Sequence, residues 1–339
     1  MRRRSTLTLA TAIFALGSCG SGGQSSSPST GSVTPAPAPS PAPMPTPAPT
    51  PTPTPTPVAA SFPINTATLF SAGVAVTRID PFATGVGGDN RFSSATVLPD
   101  DGASQVSLPA SVTANGVNAI TVRNDRAATS FKIQPPMTSD DELLGFGQAP
   151  STLKVLNNPY IDTLTSDPRL RLSAVGYALW TDIVGTQTTY STFYYGYPSA
   201  AGSFPASGSK RMATIGRAFN TVYAPAPPGS FSPITSGAAV ISTDFSVDYG
   251  ARLVYFEVQV SYFTNRGNIS IGTFSGTSNF DPATNRFAGN LSAADSTFTG
   301  NFSGRFYGIG ATEFGLAFGL TGTAVRDGPI RTVGVVLGK

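Results

Sequence analysis

The chain of 339 residues contains no histidine and one cysteine, Cys19. Without imidazole there is no His-dependent general acid–base catalysis, no Ser-His-Asp nucleophile and no His-ligated zinc or haem. What remains is carboxylate and tyrosine chemistry. Asp100-Asp101-Gly102 and Asp140-Asp141-Glu142 are the acidic clusters. Hard cations take such oxygen ligands, but no D-x-D-x-D-G loop accompanies them and Asp-Gly pairs are common at turns, so both read as solvated turns without a metal. A glycosidase needs two carboxylates astride the scissile bond, and the spacing singles out no pair. Gly85-Val-Gly-Gly88 shares only its glycines with a phosphate loop; it lacks the following Lys-Ser/Thr and the helix, and reads as a β loop. Tyr194-Tyr195-Gly196-Tyr197 offers rigid amphipathic contact area, against the preferred reading that its tyrosines belong to a barrel strand and cap its end.

Cys19 is the residue whose surroundings define a chemistry. Arg2, Arg3 and Arg4 precede a short apolar run, Leu7 to Leu16. A run of this length is far below the roughly 20 residues needed to span a bilayer, and with its basic start it has the form of a secretory signal. It ends in Leu16-Gly17-Ser18-Cys19, which resembles the lipobox read by the lipoprotein signal peptidase. That resemblance implies removal of residues 1–18 and lipidation of Cys19, palmitate being one such chain. Two or more acyl chains give stable anchoring. A lone cysteine also has no partner for an intramolecular disulfide. The signal holds three of the 21 basic residues and no acidic one, which leaves 18 basic against 18 acidic side chains in the mature chain. With its charges balanced and scattered, the mature chain has no basic stripe and no support for a nucleic-acid partner.

Residues 20–60 carry no charge, and proline occupies every odd position from Pro35 to Pro57. Proline fixes φ and removes the amide donor, so residues 19–60 are expected to be a lipidated, disordered Pro-rich linker. In polyproline II form, at about 3.1 Å per residue, it reaches roughly 90 Å. The remaining body of about 280 residues is room for one large β domain or two smaller ones. It has no amphipathic helix of three turns. Instead, short stretches rich in Val, Ile, Thr, Tyr and Phe are cut by Gly, Pro, Asn and Asp, including Val74–Ile79, Val117–Arg123, Thr129–Ile133 and Leu153–Leu156. A composition shift near Pro168 separates a β-rich, handle-like region (61–169) from a region of closely spaced strands (170–339).

In that second region Phe298, Gly300, Phe302, Gly304 and Phe306 share one strand face, opposite Thr297, Thr299, Asn301, Ser303 and Arg305. Phe314, Leu316, Phe318 and Leu320 oppose Gly315, Ala317, Gly319 and Thr321, and Phe256, Val258, Val260 and Tyr262 oppose Tyr255, Glu257, Gln259 and Ser261. Side chains alternate with period two along a strand. Repeated large–small alternation suits the packed interior of a small closed barrel. A membrane barrel alternates too, with its apolar face towards lipid; the lipid anchor and the long tether favour a soluble one. The fold class expected from these patterns is therefore all-β, with a small, closed, soluble barrel on a disordered stalk.

Asn301-Phe-Ser-Gly-Arg-Phe-Tyr-Gly-Ile-Gly-Ala-Thr-Glu-Phe-Gly315 resembles the C-terminal hairpin of the transferrin-binding-protein-B-like barrel lipoproteins, G-x-F-Y-G-P-x-A-x-E-x-G-G. Phe306, Tyr307, Gly308, Ala311, Glu313 and Gly315 match; Ile309 replaces the usual Pro, Gly310 falls where Asn is common, and Leu316 replaces the second Gly. Leu172 to Trp180, Phe193-Tyr-Tyr-Gly-Tyr-Pro198 with Phe204 to Ser209, and Ala238 to Tyr249 are similar to other segments of that family, so the resemblance covers roughly 170–339. It implies a soluble eight-stranded antiparallel barrel preceded by a smaller β-rich handle-like region, carried by an anchored outer-membrane lipoprotein on the surface of a Gram-negative bacterium. Such a protein is non-enzymatic and solute-binding. It takes a protein or small ligand through barrel and handle loops, in nutrient, iron or haem acquisition, with no cofactor of its own. The alternatives are a structural envelope lipoprotein without a specific ligand and an orphan carboxylate-dependent hydrolase.

Overall fold

The β-branched and aromatic stretches form strands in the computed structural model, which describes residues 60, 62, 67–80, 93–109, 119–132, 138–139, 143–156, 171–222, 238–264, 267–294, 297–324 and 328–339. Cys19, the Pro-rich segment, Gly85–Gly88 and the acidic cluster at 140–142 lie outside these. The ten strands of a first sheet are β1 (Thr68–Ile79), β2 (Thr96–Leu98), β3 (Gln105–Leu108), β4 (Ala119–Arg123), β5 (Ala128–Lys132), β6 (Thr138–Ser139), β7 (Leu143–Gln148), β8 (Ser151–Leu156), β9 (Val175–Val184) and β10 (Gln187–Gly196). Their order is 5-4-3-1-10-9-8-7-6, with β2 beside β1. The second sheet is built of β11 (Ser209–Met212), β12 (Thr214–Val222), β13 (Ala238–Asp248), β14 (Leu253–Thr264), β15 (Gly267–Asp281), β16 (Arg286–Leu291), β17 (Thr299–Tyr307), β18 (Glu313–Ala324) and β19 (Gly328–Gly338), in the order 11-13-14-15-16-17-18-19-12.

The second sheet closes on itself. β11 pairs with β13 and β12 with β19, and the chain runs from one partner to the other through Ala213, whose amide donates to the Lys339 carbonyl at 3.0 Å. Counted as one strand crossing the seam, β11 and β12 make this the small closed barrel expected from the alternation, with the eight antiparallel strands that the resemblance implied. Closure satisfies the backbone groups that an open edge would expose. Phe302, Phe306, Phe314, Leu316, Phe318 and Leu320 do point inward, as do Phe256, Val258 and Val260. Among the described residues ten phenylalanines fill the interior, with Phe245 stacked on Phe314 at a ring separation of 3.7 Å. The barrel is a packed core, with large side chains facing glycines such as Gly304 and Gly334, where a Cβ would lie 2.4 Å from the Phe287 ring and 2.3 Å from the Phe318 ring.

The first sheet is larger than the sequence implied, and it takes in β9 and β10, which the composition shift near Pro168 and the resemblance had grouped with the barrel strands. Both strands are apolar on two faces. Ala178, Trp180, Phe193 and Tyr195 face a core shared with β1, β3, β4, β5, β7 and β8. Val175, Tyr177, Leu179, Tyr190 and Tyr194 face the outside of the barrel. A strand buried on both sides loses the alternation that marks a half-exposed one, so its partner sheet could not be read from period.

Candidate functional site

The outer face of β18 carries Gly315, Ala317, Gly319 and Thr321, and these small residues are a docking floor. A Cβ on Gly315 would come within 3.0 Å of both the Tyr194 Cβ and the Val175 Cγ2, and one on Gly319 within 3.0 Å of the Ala95 Cβ. Val333, Val335 and Leu337 of β19 extend the floor, and Phe219 of β12 meets Tyr190 at a ring separation of 5.2 Å. The first sheet thus packs on the barrel through its own aromatic and aliphatic side chains.

Two buried carboxylates fasten this contact. Asp100 is 1% exposed; it accepts from Ser71 Oγ, from Arg305 at 2.9 Å and from the Tyr307 hydroxyl at 3.4 Å. This corrects the reading of Asp100 as a solvated turn residue: Asp101 is exposed, whereas Asp100 is turned inward to an arginine on the neighbouring barrel. Glu313, also 1% exposed, caps the start of β9. It accepts from the Ser173 amide and hydroxyl at 2.9 Å each, from the Ala174 amide at 2.8 Å and from the Val175 amide at 3.2 Å, with Lys339 Nζ at 3.6 Å. A buried charge is tolerated only with partners of this number and kind. Arg305, Tyr307 and Glu313 all belong to the hairpin that carried the family resemblance, and none of them points to solvent chemistry.

The tyrosine cluster is neither a contact patch nor the end of a barrel strand. Tyr194 and Tyr195 are fully buried on opposite faces of β10, and Tyr197 packs against Phe62 and Phe70. Burial, then the nearby Asp100 charge, raises the Tyr194 phenol far above its ordinary value; burial alone does so for Tyr195, and both effects act on Tyr307. All three are neutral hydroxyls at any physiological pH.

One end of the barrel is stoppered by the segment after β10. Phe204 sits 4.9 Å from Phe280 and 5.3 Å from Phe306, ring to ring. Ser199 Oγ donates to the Gly308 carbonyl at 2.7 Å, and the buried Asn285 amide donates to the Ser199 carbonyl. The turns here adopt left-handed backbone at Arg252, Asn285 and Ala311, a conformation that L side chains disfavour. At this rim Asp248 and Asp281 accept backbone amides from Ala251 and Ala283, which together with Ser209 and Thr284 lower both carboxyls below their ordinary value. Ile309, between Gly308 and Gly310 of the hairpin, is 67% exposed.

Among the described residues, no group of three or more Asp, Glu, His or Cys side chains can hold a metal, and no helix is long and apolar enough to cross a membrane. No family model and no curated protein matches the chain. Among solved structures there are likenesses. The chain is similar to transferrin-binding protein B. A variant of that protein from Haemophilus parasuis Hp5 shares 15% identity at a TM-score of 0.40, over 78% of this chain and 45% of that one. Transferrin-binding protein B from Neisseria meningitidis serogroup B shares 12% at 0.37, over 78% and 43%. This chain therefore spans less than half of either protein. HpuA from Kingella denitrificans, solved in complex with human haemoglobin, shares 13% at 0.34, over 83% and 90%. Transferrin-binding protein B is also the protein whose family the hairpin pattern resembles.

Sequence reasoning missed the docking floor. Its signal was present as the small face of β18, which alternation could describe without saying what covers it.

Proposed function

We propose that this chain is a non-enzymatic surface lipoprotein, anchored through Cys19 in the outer membrane, that binds a partner protein on the loops and outer faces of its two sheets. The observation that carries the reading is the solid interior. Ten phenylalanines and their aliphatic neighbours fill the barrel, so recognition has to happen outside it. The three buried carboxylates among the described residues, Asp100, Asp182 and Glu313, are engaged by internal donors and offer no acid–base pair to a substrate. The lipobox pattern and a stalk of roughly 90 Å reach support display of this body away from the membrane. Haem taken directly would require Tyr or Met as axial ligand, which favours a protein over free haem as the ligand. Transferrin and haemoglobin, the partners in the names of the similar proteins, are the first to test for a role in iron or haem acquisition.

Added protease should digest the body on intact cells, and Cys19→Ser should release the protein from membranes. Protection until the outer membrane is opened would overturn surface display. Biosensor titration of the mature Cys19→Ser chain against transferrin, haemoglobin and serum proteins tests binding; absence of any response would leave the structural envelope role in its place.

A further inference from the structure

Beside the docking floor, where Ser94 and Ala95 approach β16, β17 and β18, lies an open cavity of about 490 Å³. None of the described residues lining it is charged. Asn290 and Asn301 face each other across β16 and β17, and Thr299 is opposite Thr321 across β17 and β18. The Thr321 hydroxyl accepts the Ala95 amide at 3.1 Å and so holds the far wall. Among the described residues, Asn290, Thr299 and Asn301 make no side-chain hydrogen bond, and all three are exposed. Gly300 and Gly319 complete the lining with backbone rather than side chains. The same uncharged character continues outward from the cavity over exposed Thr277 and half-buried Ser275 on β15.

We infer that this cavity is a binding site for a neutral saccharide, an activity beyond the protein binding proposed above and independent of it. Each carboxamide offers two donors and an acceptor, and each hydroxyl one donor and two acceptors. That mixture matches a ligand whose own hydroxyls both donate and accept. Anionic or cationic ligands are disfavoured, because the described lining residues supply no opposite charge to offset their desolvation. Apolar ligands are disfavoured too, since drug-like pockets are mainly hydrophobic and only Leu291 and Ala95 supply apolar side chains of any size here. Strand spacing of about 4.8 Å sets the carboxamides and hydroxyls in a row along which successive sugar rings can lie. Each hydrogen bond is gained in exchange for one to water and is worth little net, so a few of them give a dissociation constant on the order of 1 mM.

Saturation-transfer NMR on the full mature chain carrying Cys19→Ser tests this with lactose, maltotriose, chitotriose and mannobiose, alongside sialylated and sulfated lactose. The expected result is transfer from at least one neutral probe, with binding about tenfold weaker in Asn290→Ala/Asn301→Ala. Thr299→Val should give a smaller loss. All these positions are exposed, so an unchanged thermal midpoint verifies that each variant is folded. The inference is overturned if no neutral probe shows transfer, if the double variant binds as the parent does, or if the anionic sugars bind better.

Discussion

The inside and the outside of β18 are built to opposite rules. Within the barrel, Phe314, Leu316, Phe318 and Leu320 supply bulk and the glycines of neighbouring strands yield to them. Outside, Gly315, Ala317 and Gly319 yield, and the bulk comes from Tyr194, Val175 and Val97 of the other sheet. The packing on both sides is close, but the large partner changes sheets. A single strand therefore takes part in two cores, and the larger side chain lies on whichever surface has no other source of volume. Polar groups divide the same way: the inside is sealed largely by aromatic rings, while the outside contact also includes Asp100 and Glu313.

Truncation inside the barrel should have the largest effect. Phe302→Ala removes a ring 1% exposed that meets Phe256 and Phe287, and should cost about 3–5 kcal/mol in denaturant unfolding. Next, Asp100→Asn leaves Arg305 facing the interface without its charge partner; breaking a buried pair from one side should cost about 3 kcal/mol. Trp180, the only tryptophan, lies in the first sheet's own core, so its fluorescence reports that sheet while circular dichroism reports both. Coincident transitions in both variants would mean that the interface couples the sheets; an unaltered Trp180 transition in Asp100→Asn would show that it does not. Gly315→Val, which pushes a side chain against Tyr194 and Val175, should lose about 1–3 kcal/mol by overpacking.

The pH dependence separates the same two regions more gently. Tyr194, Tyr195 and Tyr307 have folded pKa values raised above the ordinary 10.0. Their contribution is present in full below pH 10 and is lost as pH rises through the folded values, because the unfolded chain gives up its protons first. Alkaline melts should therefore weaken the body steeply above pH 10. Asp248, half-buried, and Asp281, exposed, at the barrel rim are depressed below 3.8, so their contribution is present above that pH and fades as pH falls through the folded values. Asp248→Asn with Asp281→Asn should flatten only the acid limb, by a small shift in thermal midpoint, and leave the alkaline limb unchanged.

Much of the barrel was legible because its interior strands obey period two and its turns are marked by Asp-Tyr-Gly at 248–250 and by the glycines at 308 and 310. Asp100 was misread for a physical reason. Asp-Asp-Gly has the local chemistry of a turn, and its partner Arg305 lies 205 residues away in sequence, where no local rule can find it. The membership of β9 and β10 was hidden likewise, since two apolar faces erase the alternation that identifies a neighbour.

By itself the sequence determined the β class, the period-two alternation that gathers phenylalanines on one strand face, and the lack of any imidazole side chain in the 339 residues. These depend on composition and on the spacing of side chains along one strand. Tertiary structure decided which sheet each apolar face meets, that the small face of β18 is covered, and that two carboxylates from turn-like and hairpin sequences are buried. Those outcomes depend on volume and charge brought together from distant parts of the chain, where the cost of an unpaired buried carboxylate or an empty space selects the partner.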